Sequence, residues 1–377
     1  MLVSDFLTLI STCLIEGLLT QMPSFKFTEI DGSRSVEMVP TFIRPFGVSA
    51  IRVLEENDES PLEMELQAND VLLDGKKKPG RATVNTKIVF NQPTTIYSLV
   101  RGGWVPMPFS IPPRFLVDRN VVISLRRIRE GKIFANAQSL FFWTRFFAQG
   151  TGTFSPLPYA FEAGFRRKPT MSEFAAAYDE GVTELRNAIP NCDVIRLSEP
   201  NFRVAYALLE AFDRRSEQEI SFLQAACPKV AQRSGRKNEW EVANAVVRLA
   251  DQHKVNRASL ASLAVLSCLF EDVHGNPSAI GRQVLKPKRN YSKEEAFNAL
   301  SDLRHIEIAA ACQGYFESSP FSLCTRDRAL ALLWSALSPR GKSSSGDSME
   351  LTFNLTEDLF SRLHEHELRQ LMQLLRM

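Results

Sequence analysis

The sequence has few histidines and no cysteine spacing that is typical of a zinc site or a disulfide framework. Its six cysteines are scattered among apolar neighbours and never form a CxxC pair. This pattern favours buried, reduced thiols. None of its five histidines lies beside a nucleophile in the sequence, so a catalytic triad is not supported.

Long uninterrupted apolar runs are also missing. The N-terminal stretch at 1–22 is apolar, but Asp5 and Glu16 interrupt it well short of a membrane span. Its helical periodicity predicts an amphipathic helix that packs on the body or on a second copy of the chain. We therefore expect a cytoplasmic protein without a membrane segment. The formal net charge of +2 neither favours nor excludes nucleic acid as a partner.

The length of 377 residues predicts more than one domain. Residues 23–113 are rich in strand-like segments, including 40–55, and break at Gly, Pro and Asn-Asp positions. Residues 114–340 alternate strands with helices, which indicates an α/β layer, and the part around 200–285 is mostly helical. A flexible loop and an amphipathic C-terminal helix are predicted within 341–377.

Acidic residues follow two predicted strands and occupy one predicted helix. Asp118 follows the strand in RFLVDRN, and Asp327 follows the strand in SLCTRD. Asp302 lies in the middle of a helix whose start is marked by a capping box, Ser292 and Glu295. Groups at the carboxyl ends of strands gather in one crevice of an open α/β sheet, and oxygen-rich clusters suit Mg²⁺ or Mn²⁺. The alternative for both strand-end residues is a helix N-cap.

These segments resemble the PIN-domain nucleases. FLVDRNVVISL is similar to their opening Asp-x-Asn element, NALSDLRHIEIAAA to their acidic penultimate helix, and SLCTRDRAL to their Thr-x-Asp strand end. The resemblance implies a PIN-like parallel sheet flanked by helices, with a helical insertion. It also implies that a cluster of four acids is catalytic and binds Mg²⁺ or Mn²⁺: Asp118, Glu162, Asp302 and Asp327. Three polar residues would support these acids: Asn120, Asn298 and Thr325. Glu162 is chosen for its position in the chain, and Glu173, Glu184 and Glu210 remain alternatives.

A nuclease also needs cations that hold phosphates against its own carboxylates. The candidates are Arg126, Arg127, Arg166, Arg167, Lys286, Lys288 and Arg289, with solvated helix ends as the alternative interpretation. The predicted function is a metal-dependent endoribonuclease, and the family suggests a toxin-antitoxin setting with an inhibitory protein partner. A non-catalytic module that binds RNA or protein, or a structure-specific DNA nuclease, are the alternatives.

Overall fold

The structure is a computed structural model of the chain. It describes residues 24–28, 35–56, 61–89, 96–111, 114–132, 152–162, 167–232, 235–270, 280–315, 321–343, 349–355 and 357–376. The amphipathic helix predicted for 1–22 lies outside these residues.

An antiparallel sheet and one helix occupy the first part of the chain. Their bounds are β1 Phe25–Thr28, β2 Ser35–Met38, β3 Phe42–Ile43, α1 Val48–Glu56, β4 Pro61–Leu73 and β5 Lys76–Val89. Asp74 and Gly75 join β4 to β5 with positive φ values of 50° and 75°, as expected for a two-residue hairpin turn. The prediction of strand through 48–55 is wrong. Val48, Ile51 and Leu54 recur at three-residue intervals and all three are buried on one face of α1.

A second sheet has six strands and contains four parallel neighbours. Its strands are β6 Tyr97–Val100, β7 Gly103–Pro106, β8 Arg114–Val117, β9 Thr153–Ser155, β10 Asp193–Val194 and β11 Ser322–Thr325, in the order β10-β9-β8-β11-β6-β7. The first four strands in that order are parallel, and β6 pairs antiparallel with β11. Strands β6 and β7 come before residue 113 and the other four strands come after it. The predicted boundary at residue 113 therefore falls inside one sheet.

The two sheets meet at a bridge between Phe46 and Trp104. The Phe46 amide donates to the Trp104 carbonyl at 2.8 Å, and the Trp104 amide donates to the Phe46 carbonyl at 3.0 Å. Gly103 has a φ of 152°, and a Cβ added there would lie 2.1 Å from the Phe46 carbonyl oxygen. Glycine is therefore required for this close backbone approach.

Helices make up most of the remaining described chain. They are α2 Arg119–Arg129, α3 Leu157–Glu162, α4 Met171–Ala188, α5 Glu199–Val230, α6 Arg236–Gln252, α7 Leu260–Ser267, α8 Ile280–Leu285, α9 Lys293–Tyr315, α10 Arg328–Leu337 and α11 Glu365–Arg376. The helical insertion predicted around 200–285 contains four of these helices, α5 to α8. α9 packs against α5 and β11. α8 packs closely on α7 at Gly281, where a Cβ would lie 2.1 Å from the Ala264 carbonyl oxygen.

Arg340–Ser343, within the segment predicted as a flexible loop, is a strand. β12 Arg340–Ser343 pairs antiparallel with β13 Met349–Thr352, because backbone pairing across the hairpin satisfies amides that low-complexity sequence alone would leave to solvent. The fold is thus mixed α/β with several sheets. The five cysteines in the described residues are buried and free, as predicted. Among the helices described, none is long and apolar enough to cross a membrane.

Candidate metal centre

Asp118 and Asp327 lie side by side at the carboxyl ends of adjacent parallel strands. Asp118 follows β8 and Asp327 follows β11, and the Asp118 amide donates to the Cys324 carbonyl at 3.0 Å. Both are helix N-caps. Asp118 Oδ1 accepts from the Val121 amide at 2.9 Å, and Asp327 Oδ1 accepts from the Leu330 amide at 3.1 Å. The capping interpretation is therefore correct for both residues, and the same geometry brings them to one place.

Thr325 connects the two aspartates. Its hydroxyl donates to Asp118 Oδ2, while its Oγ1 accepts from the Asp327 backbone amide at 2.9 Å. Thr325 is fully buried and Asp118 is 3% exposed. This threonine therefore fixes the Asp118 carboxylate in a site that excludes most solvent.

Two helices bring the other two predicted acids to the same place. Glu162 is the last residue of α3, which follows β9, and Asp302 lies in the middle of α9. One turn after Asp302 on α9 is His305, which is buried. Glu162, Asp302 and His305 each offer a ligand atom, and these three atoms lie within 4.8 Å of one another. A group of this size and composition could hold a metal ion.

The electrostatics show that four carboxylates share this region, which we call the acidic cluster: Asp118, Glu162, Asp302 and Asp327. Burial, opposed by hydrogen bonds from Thr325 and Val121, raises the pKa of Asp118 from 3.8 to about 7. The pKa of Glu162 rises from 4.5 to about 7, mainly through burial, with Asp327 raising it further.

Asp302 is affected by every other member of the acidic cluster. Burial first, and then repulsion from Asp327, Glu162 and Asp118, raise its pKa well above 3.8. Carboxylates that disfavour each other's charge in this way are a recurrent feature of functional sites. Without a counter-cation, the acidic cluster is electrostatically costly in its ionised form.

The alternatives to Glu162 are engaged elsewhere. Glu173 completes a capping box at Thr170 and forms an ion pair with Arg167 at 2.7 Å. Glu184 bonds Arg129 at 2.9 Å, and Glu210 lies 3.7 Å from the Lys168 ammonium. The structure therefore places Glu162, and not these residues, with the other three acids.

An open cleft of about 780 Å³ begins at Asp327. Its border includes two predicted residues for phosphate binding, Arg127 and Lys286, and one predicted supporting residue, Asn120. Arg326 and Arg328 also line it and were missed from the sequence. Their position beside Asp327 in TRDR is the signal that could have identified them.

The remaining predicted cations lie elsewhere. Arg126 pairs with Glu180 at 2.5 Å, Arg167 pairs with Glu173, and Lys288 pairs with Glu295. These three are not among the residues that line the cleft, and each pairs with an acid. Arg289 and Asn298 are exposed, with Asn298 one turn before Asp302, and Arg166 lies outside the described residues.

Two further residues act on the acidic cluster and were not singled out from the sequence. Arg119, in the VDRN segment, lowers the pKa of Glu162 against the effect of burial. His305 lies three residues after Asp302 on one helix, and this spacing is a signal that the sequence offers.

The chain matches no protein-family model, no curated protein and no solved structure, and the resemblance to PIN-domain nucleases stays a prediction.

Proposed function

We propose that the chain is a metal-dependent endonuclease that cleaves RNA. The observation that carries this proposal is the convergence of Asp118, Glu162, Asp302 and Asp327 beside a cleft bordered by cationic side chains. The four acids come from two strand-to-helix junctions and two helices, so their meeting depends on the tertiary fold.

The donor chemistry of the acidic cluster fits a hard or borderline divalent cation. Carboxylate oxygens are the ligands that Mg²⁺ and Mn²⁺ use in proteins, and mutual repulsion among the acids would be relieved by a bound cation. Asp118, Glu162, Asp302 and Asp327 would hold the ion. When bound, it would lower the pKa of a water molecule and screen the charge of a phosphodiester.

The cleft supplies what a phosphodiester substrate needs. The cleft is lined by Asp327 and by four cations, Arg127, Lys286, Arg326 and Arg328. Cations in the same cleft offset the repulsion between phosphate and carboxylate. The N-termini of α2 and α10 lie at Asp118 and Asp327, where the aligned backbone amides favour negative charge.

The four parallel strands support a PIN-like arrangement, because Asp118 and Asp327 follow the carboxyl ends of two of them and the acids follow the order of the resembling motifs. That resemblance, rather than the cleft, favours RNA over DNA. An inhibitory protein partner that covers the cleft would fit the toxin-antitoxin setting.

Cleavage of a mixed panel tests the proposal. Single-stranded and structured RNA and DNA substrates are incubated with the protein in Mg²⁺, Mn²⁺ or EDTA. We expect cleavage of RNA that requires the metal and is abolished by Asp302→Asn. Glu173→Gln is the matched control, since its carboxylate lies in a separate ion pair, and it should cleave normally.

Three results would contradict this proposal. Binding of RNA without cleavage at any metal concentration would indicate a non-catalytic module. Cleavage confined to DNA would indicate a structure-specific DNA nuclease. Cleavage that persists in EDTA, or in the Asp302→Asn variant, would show that the acidic cluster does not take part in the reaction.

A further inference from the structure

His305 belongs to the candidate metal centre, and one of its ring nitrogens is unpaired. Its side chain is 3% exposed, and Nε2 has no hydrogen-bond partner among the described residues. The ring does form a hydrogen bond with the backbone of Pro158. Because Nε2 is unpaired, that bond belongs to Nδ1, which donates its proton to the carbonyl.

This arrangement defines the chemistry of the other nitrogen. An imidazole that donates from Nδ1 to a backbone carbonyl carries its lone pair on Nε2, which is the form that binds metals. Burial lowers the pKa of His305, which disfavours the protonated ring. A buried polar atom without a partner is costly, and a bound cation is one way to satisfy it.

The position of His305 relative to the acids points the same way. Its ligand atom lies within 4.8 Å of those of Glu162 and Asp302, a spacing that one ion can bridge. Asp118 and Asp327 are close enough to act electrostatically on the ring, so an ion bound by His305 would also be attracted by the rest of the acidic cluster.

We infer that His305 is a nitrogen ligand of the metal centre, and that the centre selects a first-row transition metal over Mg²⁺. This inference rests on the proposed metal site. Imidazole nitrogen is a good ligand for Fe²⁺, Ni²⁺, Cu²⁺ and Zn²⁺. Mn²⁺ favours oxygen ligands but accepts an imidazole nitrogen more readily than Mg²⁺, which keeps an all-oxygen shell. The predicted preference therefore comes from one residue, and the carboxylates alone would not provide it.

Metal binding can be measured without any substrate. Mn²⁺ is titrated into the full chain, and pulsed electron paramagnetic resonance of the bound ion reports whether a nitrogen nucleus is directly coordinated. Competition with Mg²⁺ gives the ratio of the two affinities. His364 and His366 stack on each other near the C-terminus, so a His364→Ala, His366→Ala double variant is the control for adventitious binding.

The wild-type chain and the control should show directly bound nitrogen and a preference for Mn²⁺. In His305→Ala the nitrogen signal should disappear, Mn²⁺ affinity should fall at least about tenfold, and Mg²⁺ affinity should change little. His305→Asn, which keeps a polar side chain, should also lose the nitrogen signal, and it serves if the alanine variant does not fold.

The outcomes separate this inference from the proposed function. Tight Mn²⁺ binding by the wild type without a nitrogen signal would overturn the role of His305 and leave the carboxylate site intact. An unchanged ratio of Mn²⁺ to Mg²⁺ affinity in His305→Ala would do the same. Failure of the wild type to bind any divalent ion would overturn the metal site itself, and with it this inference.

Discussion

Glu162→Gln is expected to stabilise the metal-free protein at alkaline pH. Glu162 has no ion-pair partner among the contacts described here, and its pKa rises from 4.5 when unfolded to about 7 when folded. The unfolded chain therefore releases this proton at a lower pH than the folded chain, and the stability of the wild type falls between these two values. At about 1.36 kcal/mol for each pH unit, the loss reaches about 3 kcal/mol.

Glutamine has nearly the same shape and does not ionise, so it removes this loss. The free energy of unfolding of Glu162→Gln minus that of the wild type should rise by up to about 3 kcal/mol between pH 4 and pH 8. Urea denaturation in EDTA at several pH values measures this difference. With Mn²⁺ at about one hundred times its dissociation constant, the wild type should gain about 2.7 kcal/mol, and the variant should gain much less.

Glu173→Gln is a control in which the change in stability at pH 8 should have the opposite sign. Hydrogen bonds from Arg167 and Thr170 lower the pKa of Glu173 to about 2, so its charge contributes stability that is present at neutral pH and lost in acid. This variant should be less stable than the wild type at pH 8 and should respond normally to Mn²⁺. A stability difference for Glu162→Gln that does not vary with pH, or a full response to Mn²⁺, would refute the reasoning.

Three further variants test separate parts of the site. Thr325→Val removes the hydroxyl that donates to Asp118 and should lower the free energy of unfolding by about 2 kcal/mol. This loss should be larger at pH 8 than at pH 4, and equal losses at the two pH values would contradict the prediction. Lys286 has a φ of 49°, so Lys286→Gly should stabilise the protein by about 1 kcal/mol in thermal denaturation and weaken RNA binding. Arg127→Ala should reduce the dependence of log affinity on log salt concentration by about one, while Arg126→Ala, whose guanidinium is ion-paired away from the cleft, should leave it unchanged.

Local features of the site were accessible from the sequence. The predicted helix at 328–337 coincides with α10, and the capping box of Ser292 and Glu295 forms at the start of α9. Caps and apolar runs depend on neighbours within a few residues, so pattern alone predicts them. Asp118 and Asp327 were found in this way.

The remaining features depend on contacts between distant segments. The β6–β7 hairpin joins β11 across more than two hundred residues, and a strand's partner is not encoded in its own pattern. The ion pair of Arg126 with Glu180 likewise requires two helices to pack. His305 became informative only when its burial and its unpaired Nε2 were seen beside Asp302.

Mn²⁺ located by anomalous X-ray diffraction from crystals of the chain is the most direct test of the central claim. One strong peak within bonding distance of Glu162, Asp302 and His305, with Asp118 and Asp327 around it, is the predicted result. Fully occupied Mn²⁺ elsewhere on the molecule, with no peak among these five side chains, would contradict it.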